Sequence, residues 1–170
     1  MNQKNLEEII IEVKGKTLNF LSHKPRSYKE IDNRINYYLK RYEDLEISQK
    51  EEINRNVIEG LERADLIDDD RYAQSLVNEK INSSKPMSRL KIRQFLMKKG
   101  IDSATIDFAL ENFTEEQEIE KIMEVATKKA SQIKETNHFK KKQKLLSYLA
   151  TKGYPLSKVY AVVDRVLDVK

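Results

Sequence analysis

Pro25-Arg26-Ser27-Tyr28-Lys29-Glu30-Ile31 returns, 61 residues later, as Pro86-Met87-Ser88-Arg89-Leu90-Lys91-Ile92. Each stretch opens on Pro-x-Ser and sets an aliphatic residue four and eight places after the serine: Ile31 and Ile35, then Ile92 and Leu96. Leu145 and Leu149 repeat the aliphatic pair once more. A four-residue spacing stacks two side chains on one face of a helix, so each pair reads as a buried helical stripe. Further along, Lys98-Lys99-Gly100 matches Thr151-Lys152-Gly153, and Ile106 matches Val159, both at a spacing of 53. Self-similarity at 50–60 residues predicts a repeat architecture.

Helix starts and stops agree with that reading. Ser27 and Glu30 form a capping-box pattern, in which the serine oxygen accepts a free N–H of the first turn and the glutamate reaches back. Ser48-Gln49-Lys50-Glu51 and Thr114-Glu115-Glu116-Gln117 have the same grammar. Gly100 and Gly153 stand where a helix must end in a left-handed residue, and Pro155 suits the start of the helix that follows. The pattern predicts helices near 13–23, 27–42, 49–63, 69–83, 88–99, 103–112, 115–133, 138–152 and 156–168. They group as three three-helix repeats, 13–63, 69–113 and 115–168. The segment Tyr42 to Ile47 breaks the spacing as an insertion or a helix extension. Residues 1–12, with Leu6, Ile9, Ile10 and Ile11, read equally as a strand or a further helix turn. The fold class is all-α.

Composition narrows the function classes. The 170 residues hold no cysteine, which excludes a disulfide framework and thiolate chemistry, and only two histidines, His23 and His138. No apolar run reaches the length of a membrane span or a signal-peptide core, so a reducing cytoplasmic location is expected. Charged residues make up 35% of the chain and glycine only four positions, a balance that favours helices with thin, stacked cores. Charge is unevenly spread: residues 138–170 carry eight basic and two acidic side chains, which suits a polyanion or an acidic protein surface.

Four stretches stand in a fixed order: Thr17-Leu18-x-Phe20-Leu21-Ser22-x-Lys24-Pro25-Arg26-Ser27-x-x-Glu30-Ile31, then Leu66-Ile67-Asp68-Asp69-Asp70-Arg71-Tyr72-Ala73, then Ser88-Arg89-Leu90 with Leu96-Met97-Lys98-Lys99-Gly100-Ile101, then Lys142-x-Lys144-Leu145-Leu146-x-Tyr148-Leu149-x-x-x-Gly153-Tyr154. Together they resemble the RecX family of RecA recombinase regulators. The resemblance spans about residues 15–168. Two departures stand out: Leu39 replaces a glycine usual in the family, and Lys140, Lys141 and Lys142 stand where arginine is usual. The second swap keeps charge but loses bidentate geometry. The resemblance implies tandem helix-turn-helix-like repeats in an elongated, curved body, docking into the groove of the RecA–DNA filament and inhibition of its ATPase and strand exchange. The expected partners are therefore the RecA filament and DNA, with the chain a monomer. A stand-alone, sequence-nonspecific DNA- or RNA-binding protein is the alternative.

The candidate binding residues are basic. Arg89 and Arg93 lie one turn apart, flanked by Lys85, Lys98 and Lys99, and Arg26 stands just before Ser27 in the first repeat. Lys140, Lys141, Lys142 and Lys144 put four lysines into five residues, a patch able to hold polyanion without reading sequence. Phe139, Tyr148 and Tyr154 fall at core-like spacing with Leu145 and Leu149 and are expected to pack rather than to stack on bases. Ala73, Leu90, Leu96, Ile106, Ala109, Leu145 and Val159 are expected in the core. Asp68-Asp69-Asp70 reads as a helix N-terminus rather than a metal loop, because aspartates cap free N–H groups and the central glycine of a calcium loop is missing. Neither histidine has a carboxylate or hydroxyl partner at a catalytic spacing. No catalytic residue, metal or cofactor is expected, and the chain reads as a binding protein rather than an enzyme.

Overall fold

A computed structural model describes residues 5–168. Among them nine helices follow one another without a strand: α1 Leu6–Ser22, α2 Tyr28–Leu39, α3 Ile47–Glu62, α4 Asp69–Asn82, α5 Arg89–Lys98, α6 Ser103–Glu111, α7 Glu115–Gln132, α8 His138–Thr151 and α9 Leu156–Asp168. The all-α expectation holds, with most helix ends within a residue or two of those expected. Residues 5–12, which the sequence left open, are helical from Leu6 because Asn5 caps the helix, its Oδ1 accepting the Glu8 N–H at 2.8 Å. Residues 1–4 of that stretch lie outside the described residues. α2 stops at Leu39, and the chain then makes two tight turns, Tyr42 N–H to Leu39 O and Leu45 N–H to Tyr42 O. The segment at 42–47 is thus a folded connection rather than a helix extension. The expected Ser48 cap is displaced: α3 opens at Ile47, and the Glu46 N–H donates to Gln49 Oε1 at 3.0 Å.

The chain divides into two compact units. The first holds residues 1–72 together with 98–102, the second 73–97 and 103–170. In the first, α1, α2 and α3 enclose Ile9, Val13, Ile31, Ile35, Leu39, Ile53, Val57 and Leu61, each at most 3% exposed. In the second, α7, α8 and α9 enclose Ile122, Ala126, Leu145, Leu149, Val159 and Val163, all at 0%. The repeated aliphatic pairs are therefore core residues, as their spacing required. Truncating any of them to alanine would cost about 2–5 kcal/mol. Leu90 departs from expectation: it is half exposed, because Ile92 and Leu96 set the buried face of α5 and Leu90 lies off it.

The Pro-x-Ser elements acquire a role that spacing alone did not reveal. Ser27 Oγ accepts the Glu30 N–H at 3.3 Å and donates to the Lys99 carbonyl at 2.6 Å. Ser88 Oγ accepts the Lys91 N–H at 3.2 Å and donates to the Lys152 carbonyl at 3.0 Å. Each serine therefore caps its own helix and satisfies the terminal carbonyl of a helix one repeat onward. The residue after each carbonyl is a left-handed glycine, Gly100 at φ +83° and Gly153 at φ +79°. Both serines are fully buried. The Pro-x-Ser of one repeat and the x-Lys-Gly of the next are two halves of one joint.

Candidate partner and nucleic-acid interface

Three of the ten candidate cations belong to the internal structure. The Arg26 guanidinium lies 4.0 Å from the centroid of the Phe20 ring, with Nη1 3.8 Å from Glu30 Oε1 and Nε buried without a hydrogen-bond partner. Lys99 Nζ donates to the same Glu30 oxygen at 2.6 Å. Burial pushes the Glu30 carboxyl upward, but its hydrogen bonds with Lys99 and the Ser27 N–H outweigh that and hold it below the ordinary range. Arg89 turns inward, its Nη1 donating to the Phe113 carbonyl, while its backbone N–H donates to Glu118 Oε1 at 3.4 Å. Arg89 and Arg93 therefore do not form a common stripe for a partner: Arg93 pairs with Asp107 instead. Spacing showed that the two arginines share a helix face but not that Phe113 and Asp107 stand against it.

The α8 lysines divide around their helix. Lys142 pairs with Asp164 of α9 at 2.5 Å and Lys144 with Glu135 at 3.0 Å. The lysine hydrogen bond lowers the Glu135 carboxyl, the Arg93 hydrogen bond lowers that of Asp107, and the Asp164 hydrogen bond raises the Lys142 ammonium. Such solvent-facing pairs are screened by water and weak, so Arg93, Lys142 and Lys144 can exchange a carboxylate for a phosphate. Lys85, Lys98 and Lys140 are exposed and Lys141 half exposed. None of the four has an ion-pair partner among the described residues. Lys98 and Lys99 belong to the first compact unit, whereas Lys85, Arg89, Arg93 and the α8 lysines belong to the second. Phe139 is 67% exposed rather than packed, since it precedes the buried stripe of Leu145 and Leu149 on the first turn of α8.

One basic feature escaped the sequence reading. In the second unit a cleft of about 250 Å³ is lined by Lys85 and Pro86, by Val125, Lys128 and Lys129 of α7, and by Tyr148 and Lys152 at the end of α8. Lys129 Nζ lies 4.9 Å and Lys152 Nζ 5.5 Å from the centroid of the Tyr148 ring. The joint described above builds this cleft: Ser88 fixes the Lys152 carbonyl, and the Tyr154 hydroxyl donates to the Pro86 carbonyl at 3.2 Å. Tyr154 is buried, which pushes its phenol up to about 12, with Glu118 adding to the shift. These lysines come from three separate segments and form no run in the sequence; the Lys128-Lys129 doublet was their only local signal.

Asp68 and Asp69 serve as structural caps. Asp68 Oδ1 accepts the Arg71 N–H at 2.8 Å, and Asp69 Oδ1 accepts the Tyr28 N–H at 2.8 Å. Among the described residues no three His, Asp or Glu side chains gather as metal ligands, and no helix is long and apolar enough to cross a membrane.

Two family models match the chain, the second three-helix domain of RecX over residues 68–110 and the third over residues 115–163. A protein named regulatory protein RecX from Clostridium acetobutylicum is 34% identical over 166 residues, covering 95% of this chain and 72% of the relative. The chain belongs to the RecX family. A RecX from Clostridioides difficile is 32% identical, over 95% of this chain and 69% of its own length. The crystal structure of RecX from Lactobacillus salivarius superposes with a TM-score of 0.77 at 27% identity, covering 94% of this chain and 97% of the other. A second RecX crystal structure gives 0.75 at 29%, over 92% and 73% of the two chains.

Proposed function

We propose that this chain acts by binding rather than by catalysis, docking on the RecA–DNA filament and slowing its ATPase and strand exchange. The observation that carries the proposal is RecX membership, supported by relatives named as regulatory proteins. The fold supports it through cations that are unpaired or only weakly paired. In this reading three three-helix units, 13–63 extended back to Leu6, 69–113 and 115–168, act as a monomer in the cytoplasm, in DNA repair and recombination. Lys85, Lys98, Lys140 and Lys141 are the free contacts, with Arg93, Lys142 and Lys144 recruited by exchange. Arg26, Arg89 and Lys99 hold the fold that presents them. The test is DNA-dependent ATP hydrolysis by RecA with increasing amounts of this chain. Slowing is expected at or below one chain per RecA protomer; unchanged hydrolysis at low salt, with the chain shown folded by circular dichroism, would sink the proposal.

A further inference from the structure

We infer that the cleft between α7 and the end of α8 is a phosphodiester site, taking the backbone of a single nucleic-acid strand. This deepens the proposed function by naming its nucleic-acid contact, and rests on that reading for its context. Lys85, Lys128, Lys129 and Lys152 converge on one cavity, and none of them has a carboxylate partner among the described residues. Glu124 lies at the same cleft, but its Oε2 accepts from Lys121 at 3.3 Å, outside the lysine set. Like charges held together in a cleft are relieved by an anion, and a cleft wall focuses their field.

The lining indicates which anion. No arginine fork is present, so planar bidentate recognition of a carboxylate is not provided for. No glycine-rich loop lies in the lining, so a terminal triphosphate lacks the cradle of backbone N–H groups that usually holds it. What the cleft offers is ammonium heads set among Pro86, Val125 and the Tyr148 ring. A nucleic-acid strand has the matching alternation of phosphate charge and apolar sugar face. Tyr148 already carries two ammonium groups near its ring and so acts as a platform for the lysines rather than for a base. The site holds backbone and reads no sequence.

The experiment is fluorescence anisotropy of a labelled fifteen-residue oligothymidylate with the full chain, across a salt series. Lys129→Ala with Lys152→Ala is expected to weaken binding about tenfold and to reduce the salt slope by about 1.4, two phosphates at about 0.7 each on a single strand. Lys129→Gln with Lys152→Gln keeps the side-chain bulk and should give the same loss, with unchanged thermal unfolding. Lys24→Ala with Lys40→Ala removes the same charge from exposed positions of the first unit, outside the cleft lining, and should leave affinity within about twofold, the effect of net charge alone. Equal losses in the cleft and control variants would overturn the inference. So would displacement of the strand by an equal concentration of pyrophosphate, which would assign the cleft to a terminal phosphate, or of poly-glutamate, which would assign it to an acidic protein. If the chain leaves RecA hydrolysis untouched yet loses strand binding with the cleft lysines, the filament reading fails and the cleft stands.

Discussion

Ser27 and Ser88 hold their carbonyls by the same bond, but the two joints are set in different chemistry. Around Ser27 stand ions: Glu30, Lys99 and Arg26, with Phe20 beneath the arginine. Around Ser88 stand a buried phenol and a buried carboxylate: Tyr154 donates to Pro86, and Glu118, 3% exposed, accepts from Lys158 at 2.8 Å. The serine, the carbonyl and the left-handed glycine are what the repeat keeps constant. The neighbours are free to change, and they decide how each joint responds to pH and which surface it builds. The second joint shapes a basic cleft.

Substitution of the two glycines should separate the joints most strongly. A Cβ at Gly100 would lie 2.2 Å from Lys29 Cδ and 2.6 Å from Lys29 Cβ, whereas one at Gly153 would meet Ser88 Oγ at 2.9 Å and Lys91 Cγ at 3.1 Å. Both variants carry left-handed strain of about 1–2 kcal/mol, and Gly100→Ala adds a collision close to the α2 backbone. Expected losses in urea denaturation are about 3 kcal/mol for Gly100→Ala and about 2 kcal/mol for Gly153→Ala. The reverse order would break the comparison.

A smaller effect tests what the joints share. Ser27→Ala and Ser88→Ala each remove a helix cap and leave a carbonyl without its donor, a combined loss of about 2 kcal/mol. Agreement of the two variants to within about half a kcal/mol would establish the bond as the common element, and a negligible loss at one site would refute it.

The smallest effect falls on the Ser27 joint. Glu30 has a native carboxyl held below its ordinary value of 4.5, so the stability it contributes is present above that value. It is lost as pH falls through the lower native value. Glu30→Gln should therefore flatten the pH dependence of stability on the acid side, seen as converging melting temperatures of variant and parent below about pH 4. Parallel curves would show that Glu30 does not govern this joint's response.

The fold was legible because period and punctuation are local. Ile31 with Ile35, Ile92 with Leu96 and Leu145 with Leu149 announce a buried face through spacing alone, and Gly100 and Gly153 announce where helices stop. α1 was less legible, since three consecutive isoleucines, Ile9 to Ile11, suit a strand as well as a helix, and its Asn5 cap lies just ahead of it. The interface was the least legible part. Arg26 and Arg89 look like surface charge until Phe20 and the Phe113 carbonyl are placed against them. The lysine run of α8 draws attention in one dimension, although a helix spreads neighbouring residues around its axis. Lys85, Lys129 and Lys152 meet only after three segments fold together, so nothing in their sequence neighbourhoods marks them as a set.

The serine bonds span 72 and 64 residues of chain, while an ordinary helical bond spans four. Closing the longer span costs about 2.5 kcal/mol more loop entropy than closing four residues, and one hydrogen bond contributes only about 1 kcal/mol net. A serine hydroxyl cannot draw its distant carbonyl in; hydrophobic packing must first deliver it. The two serines act as latches that engage after assembly, so removing either should speed unfolding and leave the folding rate nearly unchanged.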